Sequence, residues 1–111
     1  MMQRLHIFPG EDGKSHWAGL TPEALNQFGG QVNGSARVEI LDAPVSRGQA
    51  PPDRRELVIV LCGIHEFGAA EGTRRLFPGD MIVIEDTSGP GHTFEAIGKD
   101  KAISLRFPLG S

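Results

Sequence analysis

Residues 56–67 read ELVIVLCGIHEF, two runs of aliphatic and aromatic residues separated by Gly63. Short runs of this kind, bounded by a turn residue, are typical of β-strands because branched side chains fit a pleated, half-buried surface. Alternate side chains of a strand share one face, so the first run predicts an inner and an outer set. The side chains predicted to share the inner face with Glu56 are Val58, Val60 and Cys62.

The sequence on both sides of this stretch continues in the same way. Short alternating or β-branched runs occupy residues 37–41, 73–77, 81–85, 92–97 and 102–107. Between them, residues 78–80 (PGD) predict a tight turn, because proline presets φ and glycine tolerates positive φ. Residues 98–101 (GKDK) predict a hairpin turn, and residues 46–55 (SRGQAPPDRR) predict a loop. About six to eight closely spaced strands predict an antiparallel sandwich or barrel.

One short helix is predicted in the N-terminal third of the chain. Thr21 is a favourable N-cap, Pro22 suits the first turn, and Glu23 lies near the positive end of the helix dipole. Residues 29–30 (GG) are expected to end the helix after about two turns. The segment up to about Gly19 is rich in glycine and polar residues, and it is predicted to be irregular.

Length and composition exclude several classes of protein. The chain has 111 residues with 15 glycines and 8 prolines, which favours many turns over a helical bundle. Its net charge of −3 and its lack of a basic run disfavour nucleic-acid binding, which depends on phosphate contacts. The longest apolar run, residues 57–62 (LVIVLC), is too short to span a bilayer, and no signal peptide is expected. These features predict a cytoplasmic protein without nucleic-acid or membrane partners.

Two segments together resemble the paired motifs of the cupins, a family of jelly-roll β-barrels. The first cupin motif ends with an acidic residue, six residues and a glycine, a spacing that Glu56 and Gly63 match. The second motif opens with a Pro-Gly-Asp turn and closes on a histidine, as residues 78–92 do. Residues 85–92 (EDTSGPGH) and 12–16 (DGKSH) are similar to the corresponding segments in one branch of small bacterial cupins.

The resemblance implies an all-β fold, specifically a cupin-type jelly-roll β-barrel with one short N-terminal helix. The barrel would span roughly residues 35–109, after an arm and helix over residues 1–34, so that residues 1–111 form a single domain. A homodimer formed through paired sheets is also expected. A small barrel encloses room for one small ligand, so function is expected to reside in that cavity.

The metal-binding motif of the family is incomplete in this chain. A typical metal-binding cupin supplies His-x-His and an acidic residue from the first motif, and one histidine from the second. Counted back from Glu56, the two histidine positions fall on Ala50 and Pro52, whose side chains cannot bind a metal. Glu56 and His92 alone match the usual ligands, so the site is expected to be either lost or rebuilt.

His65 is the most unusual residue of the predicted interior. The family pattern places inward-facing apolar residues at the positions of His65 and Phe67, and burying an unpaired polar group costs about 1–3 kcal/mol. One hypothesis is that Glu56, His65 and His92 line one pocket and bind a divalent transition metal such as Fe, Mn, Ni or Zn. Another is a metal-free catalytic pair among these residues, in which His65 or His92 acts as general base and a carboxylate orients it. The simplest alternative is that His65 is half exposed at a strand end or is hydrogen-bonded in the core.

Three further residues are candidates for ligand binding. Arg54 suits carboxylate recognition at the barrel mouth, because a guanidinium group binds carboxylates through two parallel hydrogen bonds. Asp86 lies in a glycine-rich loop, where it can either stabilise its own turn or orient His92. Phe94 follows on the same strand as His92 and is a candidate lining residue. Glu56 can equally serve as an ion-pair partner for a neighbouring arginine.

Two classes of function are open at this level. The first is an enzyme that acts on a small polar organic molecule in the barrel cavity, through a remodelled metal or acid–base site. The alternative is a metal-free binding or sensing module that kept the barrel and lost the chemistry. The missing first-motif histidines favour the module, whereas the polar side chain at His65 favours the enzyme. A purely structural dimer would instead require a filled, apolar barrel.

Overall fold

A computed structural model describes residues 2–110, which form one short helix and ten β-strands in two sheets. The helix, α1, spans Pro22–Gly29. The strands are β1 (Arg4–Pro9), β2 (Ser15–Gly19), β3 (Arg37–Asp42), β4 (Val45–Ala50), β5 (Glu56–Cys62), β6 (Ile64–Ala69), β7 (Gly72–Leu76), β8 (Met81–Ile84), β9 (His92–Ile97) and β10 (Lys101–Pro108). The prediction of an all-β fold with one short helix is confirmed.

The two sheets pack against each other through one hydrophobic core. The larger sheet has the order β2-β1-β8-β5-β10-β3, in which β1 and β8 are parallel and the other pairs are antiparallel. The smaller sheet, β4-β9-β6-β7, is antiparallel throughout. Core side chains from the larger sheet are Leu5, Ile7, Trp17, Val58, Val60, Ile82, Ile84 and Ala102, and those from the smaller sheet are Phe67, Leu76, Phe94 and Ala96. A two-layer β-structure with a shared interior follows.

Three strands lie where the sequence predicted irregular structure. β1 and β2 occupy the segment before Gly19, and β1 is the second strand of the larger sheet. The reason is that Leu5 and Ile7 alternate with outward-facing neighbours and fill the core opposite Ile82 and Ile84 of β8. Two such residues are too few to outweigh the surrounding glycine and polar residues in a sequence pattern.

β4 is the third such strand, and it falls within the predicted loop at residues 46–55. It is an edge strand that pairs with β9, with a register shift between Arg47 and Ala50. An edge strand tolerates exposed polar residues and a glycine, here Gly48, because its backbone hydrogen bonds come from one neighbour. The predicted loop is therefore reduced to residues 51–55.

The helix forms by the local signals that predict it. The Thr21 hydroxyl accepts a hydrogen bond from the Ala24 amide at 3.1 Å, and Gly30 caps the C-terminal end. α1 lies over the outer face of the larger sheet, where it forms a second apolar cluster. That cluster contains Leu20, Leu57, Val83 and Leu109, with Ala24, Leu25, Phe28 and Phe107 packed against it. No helix within residues 2–110 has the length and apolar character needed to cross a membrane.

The part of that face not covered by α1 is apolar and open. Val38 and Ile40 of the edge strand β3 are 55% and 57% exposed, and Leu61 of β5 is 49% exposed. The outward side chains of Leu105 and Ile103 on β10 lie opposite Val38 and Ile40. We refer to these five residues as the outer apolar face.

Candidate functional site

A cavity of about 580 Å³ lies between the sheets, at the end where β5 and β9 begin and β8 ends. Its charged lining residues include Arg37, Glu39, Arg47, Arg54, Glu56 and Arg106. An apolar part of the wall is formed by Phe67, Ile84 and Phe94, and the loop at Pro51–Pro52 adds to it. His92 also lines the cavity. The cavity therefore has a strongly charged part, an apolar part and one histidine.

His92 is held at the cavity wall by a fully buried carboxylate. Asp86 Oδ2 accepts a hydrogen bond from His92 Nδ1 at 2.7 Å and another from the Ser15 hydroxyl at 2.7 Å. Asp86 is completely buried, and its second oxygen, Oδ1, has no hydrogen-bond partner within residues 2–110. Because a carboxylate only accepts, Nδ1 of His92 carries a proton, and in the neutral form of the ring the lone pair is then on Nε2. We call this arrangement the Ser15–Asp86–His92 relay.

Two glycines make the close packing around this relay possible. Gly91, at φ +81°, lies so close to β4 that a Cβ atom there would overlap the backbone of Ala50 and Pro51. Gly89, at φ +74°, packs in the same way on the backbone carbonyl of Gly13. The loop after β8 is thereby pressed against both β4 and the β1–β2 turn. Glycine is required because other residues rarely adopt this φ and because no side chain fits.

The charged part of the cavity is organised around Arg106. Its Nη1 lies 3.0 Å from Glu56 Oε1, its Nη2 lies 3.2 Å from Glu39 Oε1, and its Nε donates to the Ser104 hydroxyl at 3.1 Å. Arg106, Glu56 and Ser104 are buried. Arg106 is therefore paired with two carboxylates, as expected for a buried cation.

Three other arginines approach the same two carboxylates more loosely. Arg37 and Arg54 lie 3.5 and 3.4 Å from Glu56 Oε2. Arg37 also lies 3.5 Å from Glu39 Oε2, and Arg47 lies 4.0 Å from that oxygen while its guanidinium stacks over Phe94 at 5.5 Å. Each of the three side chains is about half exposed. We call the four arginines and two glutamates the Arg–Glu network.

His65 faces the interior as predicted but does not belong to the cavity lining. It is buried, and its ring packs edge-on against Phe94 with 5.9 Å between centroids. Its Nε2 lies 3.1 Å from the backbone carbonyl of Cys62 and must be the donor, which leaves Nδ1 as an acceptor without a partner within residues 2–110. Burial lowers the pKa of His65, so the neutral ring is favoured. His65 therefore acts as a core residue behind the aromatic part of the wall.

The predicted metal ligands Glu56, His65 and His92 are not arranged around a common point. Within residues 2–110, no group of three or more His, Cys, Asp or Glu side chains is placed to hold a metal ion. Each predicted ligand has another partner: Glu56 faces three arginines, His65 donates to Cys62, and His92 donates to Asp86. Ala50 and Pro52, at the usual histidine positions, line the cavity without a donor side chain. These residues fit a divalent cation poorly.

The other two histidines lie outside the cavity lining. His6 Nε2 is 2.6 Å from Glu85 Oε1 on the outer side of β1. His16 joins two turns, because its Nδ1 is 2.6 Å from Glu71 Oε2 and its Nε2 is 2.8 Å from Asp12 Oδ1. These carboxylates raise the pKa of His16, and hydrogen bonds from its ring lower the pKa of both Glu71 and Asp12. We call this three-residue contact the His16 clasp.

Several cavity residues could be named from the sequence, and others could not. Glu56, His92, Arg54 and Phe94 all line the cavity, whereas Asp86 lies behind His92 and supports it. The charged lining residues that were not predicted as site residues are Arg37, Glu39, Arg47, Asp53 and Arg106. Arg37 and Glu39 alternate along β3, but their inward direction follows only from the register with β10. Arg47 was placed in a loop, so no face could be assigned to it.

Comparison with known proteins adds no further assignment. A scan of protein-family models found no match to this chain, and a search of curated protein sequences found none.

Proposed function

We propose that the chain is a cupin-type enzyme that acts on a small polar organic molecule in the cavity by acid–base chemistry, with His92 as general base. The observation that carries the proposal is the Ser15–Asp86–His92 relay, in which a fully buried carboxylate binds Nδ1 of a histidine at the cavity wall. A carboxylate in this position fixes the tautomer of the ring. It also stabilises the imidazolium that forms when Nε2 accepts a proton.

Proton transfer next to a carbonyl group is the reaction class that this relay supports best. His92 Nε2 removes a proton from the bound molecule, and the imidazolium returns it to another atom of the same molecule. The step is balanced without an oxidant or a reductant. The guanidinium groups of the lining would stabilise the negative charge on the intermediate oxygen. Asp86 and Ser15 are positioning residues in this scheme.

Hydrogen exchange at carbon tests this proposal directly. Pyruvate, phenylpyruvate, levulinate and cyclohexanone are incubated with the protein in D2O, and loss of their exchangeable C–H signals is followed by proton NMR. We expect faster exchange with at least one probe, abolition by His92→Gln, and at least a tenfold loss with Asp86→Asn, which cannot stabilise the imidazolium as a carboxylate does. His6→Gln is the matched control, since His6 binds a glutamate outside the cavity lining.

A wild-type protein that accelerates exchange of none of the four probes would contradict the acid–base proposal. Equal exchange by the wild type and His92→Gln would contradict it as well, because the histidine would then have no part in the reaction.

A metal-free binding or sensing module is the second candidate. The observation that favours it is the lining itself, where Ala50 and Pro52 stand at the histidine positions of the family motif and Arg106 is already neutralised. This candidate predicts that small ligands raise the melting temperature of the protein without being altered. Product analysis by NMR after prolonged incubation distinguishes it from the enzyme.

The cupin-type barrel belongs to the proposal at a finer level than the two-sheet fold. Two facing sheets with strand orders β2-β1-β8-β5-β10-β3 and β4-β9-β6-β7 are compatible with a jelly-roll. Elemental analysis of the purified protein tests the sequence-based prediction of Fe, Mn, Ni or Zn. Near-stoichiometric metal that is lost on His92→Ala and on His65→Ala would replace acid–base catalysis by a metal site. Its absence after titration would remove the metal hypothesis.

We also propose that the outer apolar face joins two copies of this chain. Val38, Ile40 and Leu61 are about half exposed there, while α1 covers the neighbouring part of the same face. A two-fold axis over β3 would pair this face with itself. Val38→Glu is expected to convert a dimer to a monomer in analytical ultracentrifugation, and Phe77→Glu, at an exposed residue of the turn after β7, is the control. A monomeric wild-type protein would contradict the proposal.

A further inference from the structure

The Arg–Glu network carries more positive than negative charge. It contains four guanidinium groups and two carboxylates, and Asp53 adds one more carboxylate to the lining. One of the four cations, Arg106, is buried and has short contacts with both glutamates. The surplus therefore lies with the remaining three arginines, on a chain whose overall net charge is negative.

Those three arginines are also the ones with hydrogen-bonding capacity to spare. Arg37, Arg47 and Arg54 reach the glutamates at 3.4 to 4.0 Å, near or beyond the limit of a good hydrogen bond. Each guanidinium has five N–H donors, and each of these side chains is about half exposed. An anion that enters the cavity can accept from them without breaking the short contacts of Arg106.

The charge and geometry of this part of the cavity favour a carboxylate. A guanidinium fork matches the two oxygens of a carboxylate, which then forms two parallel N–H···O bonds. The small positive surplus matches one negative charge better than the nearly two charges of a phosphate monoester. Phosphate sites also commonly use backbone amides at a helix N-terminus, and α1 lies on the outside of the larger sheet.

The apolar part of the cavity wall indicates what the rest of the ligand is. Phe67, Ile84 and Phe94 present aromatic and aliphatic surface, and Pro51–Pro52 extends it toward the charged residues. Apolar ligand surface gains about 25 cal/mol per Å² when it leaves water for such a wall. A volume of about 580 Å³ accommodates one small molecule with an aromatic ring or a short aliphatic chain.

We propose that the cavity binds small organic carboxylates with an apolar body, with the carboxylate on Arg37 and Arg54 and the body against Phe67 and Phe94. The inference rests on the proposed function for the location of the site and extends it to the class of substrate. Binding of the carboxylate does not require His92 to act as a base. The two ideas can therefore fail separately.

The test compares three probes of the same shape by isothermal titration calorimetry: phenylacetate, the uncharged phenylacetamide, and benzyl phosphate. The variants are Arg37→Gln and Arg54→Gln. The matched control is Arg75→Gln, because Arg75 is an exposed arginine ion-paired with Glu66 outside the cavity lining. His92→Gln is included to separate binding from catalysis. Buffers contain neither phosphate nor carboxylate.

We expect phenylacetate to bind at least tenfold more tightly than phenylacetamide and more tightly than benzyl phosphate. Each cavity variant should weaken phenylacetate about tenfold, the loss of one charge-assisted contact, while Arg75→Gln has no effect. Equal binding of the acid and the amide overturns the proposal, and so does a preference for the phosphate. Loss of binding in Arg75→Gln to the same extent also overturns it.

The wild-type protein and His92→Gln together separate the two proposals. In His92→Gln, retained phenylacetate binding together with lost C–H exchange is the outcome that both proposals predict. A wild-type protein that binds phenylacetate but exchanges no C–H would instead leave the carboxylate site standing and remove the acid–base function. Exchange of cyclohexanone without any binding of phenylacetate would leave the acid–base function standing and remove the carboxylate site. If Arg37→Gln or Arg54→Gln unfolds, Arg37→Lys and Arg54→Lys keep the charge and remove the fork, and they should still weaken phenylacetate.

Discussion

Arg106 and Glu56 lie on neighbouring strands of the larger sheet with Nη1 3.0 Å from Oε1, and both side chains are more than nine-tenths buried. Glu56 thus has two roles, because its Oε1 neutralises Arg106 while its Oε2 faces the cavity and two further arginines. The same carboxylate supports the β5–β10 pairing and sets the charge of the candidate site. Replacing Glu56 should therefore affect both the β5–β10 pairing and the charge of the candidate site.

Replacement of Glu56 is expected to destabilise the fold strongly. Glu56→Gln removes the shorter of the two carboxylate contacts of the buried Arg106 and leaves Glu39 as its remaining counter-ion, and breaking a buried ion pair from one side costs up to about 3–5 kcal/mol. Glu66→Gln is the control, because its partner Arg75 is exposed and such surface pairs contribute at most about 1 kcal/mol. The free energy of unfolding in urea measures both. Equal losses of unfolding free energy for the two variants would show that the buried ion pair contributes no more to stability than the exposed one.

Gly91 should tolerate no side chain. Gly91→Ala combines the strain of alanine at φ +81° with overlap on the backbone of Ala50 and Pro51. Gly98→Ala is the matched control, because Gly98 has φ +99° and open space around it, so strain alone should cost about 1–2 kcal/mol. We expect a clearly larger loss of unfolding free energy for Gly91→Ala. Similar losses would mean that β4 moves away from the β8–β9 loop without cost.

His65 is expected to make the fold less stable in mild acid. Burial lowers its pKa in the folded state, so the unfolded chain binds the proton more readily. Stability should therefore fall as the pH decreases below about 6.5, the ordinary histidine value, until the pH reaches the lowered folded pKa. His65→Gln should remove this part of the pH dependence in urea unfolding between pH 7.5 and 5. An imidazole that titrates above the ordinary value by NMR would contradict the assignment.

The His16 clasp is expected to lose its stabilising effect as the pH rises, whereas His65 lowers stability as the pH falls. The pKa of His16 is raised in the folded state. Its contribution to stability is therefore complete below about pH 6.5 and is lost as the pH rises through the folded-state pKa. The pKa values of Asp12 and Glu71 are lowered in the folded state. The contribution of these two carboxylates to stability is therefore present above about pH 4.5 and is lost as the pH falls through their folded-state pKa values. The clasp should thus be strongest between about pH 4.5 and 6.5.

Hydrogen exchange at one amide reports on the clasp. The Ala70 amide donates to the Ser15 carbonyl at 2.8 Å and joins the same two hairpins as His16. Its protection relative to the core should peak inside that window, and His16→Gln should flatten the profile. A protection factor that is the same at pH 5.5 and pH 8.5 in the wild type would contradict the role of His16.

Local signals explain which elements could be predicted from the sequence. α1 carries its own cap, first-turn proline and terminal glycine, so neighbours in the chain suffice to define it. β5 and β8 are dense in branched residues, and their turns are marked by Gly63 and Gly79. β1 and β4 were missed because their strand character comes from partners far away in the chain, β8 and β9.

The site could be predicted only where a residue type is unusual at its position. Glu56 and His92 stand out by motif spacing, and His65 stands out as a polar residue in an apolar run. The inward direction of His65 is correct, but its contact with Phe94, which keeps it out of the lining, depends on the side-chain packing of β6 and β9. Arg37 shows the same limit, because its contribution follows from pairing between β3 and β10.

The parallel pairing of β1 with β8 has a consequence for biosynthesis. Gln3 and Asp80, which are hydrogen-bonded beside this pair, are 77 residues apart in the chain. The β1–β2 hairpin is made early on the ribosome, yet β8, which pairs with β1 beside Leu5 and Ile7, emerges much later. Until then the edge of β1 that pairs with β8 is open, and long-range strand pairing of this kind is slow. A nascent chain that stalls before β8 would expose this unpaired strand edge, and such edges are prone to aggregation.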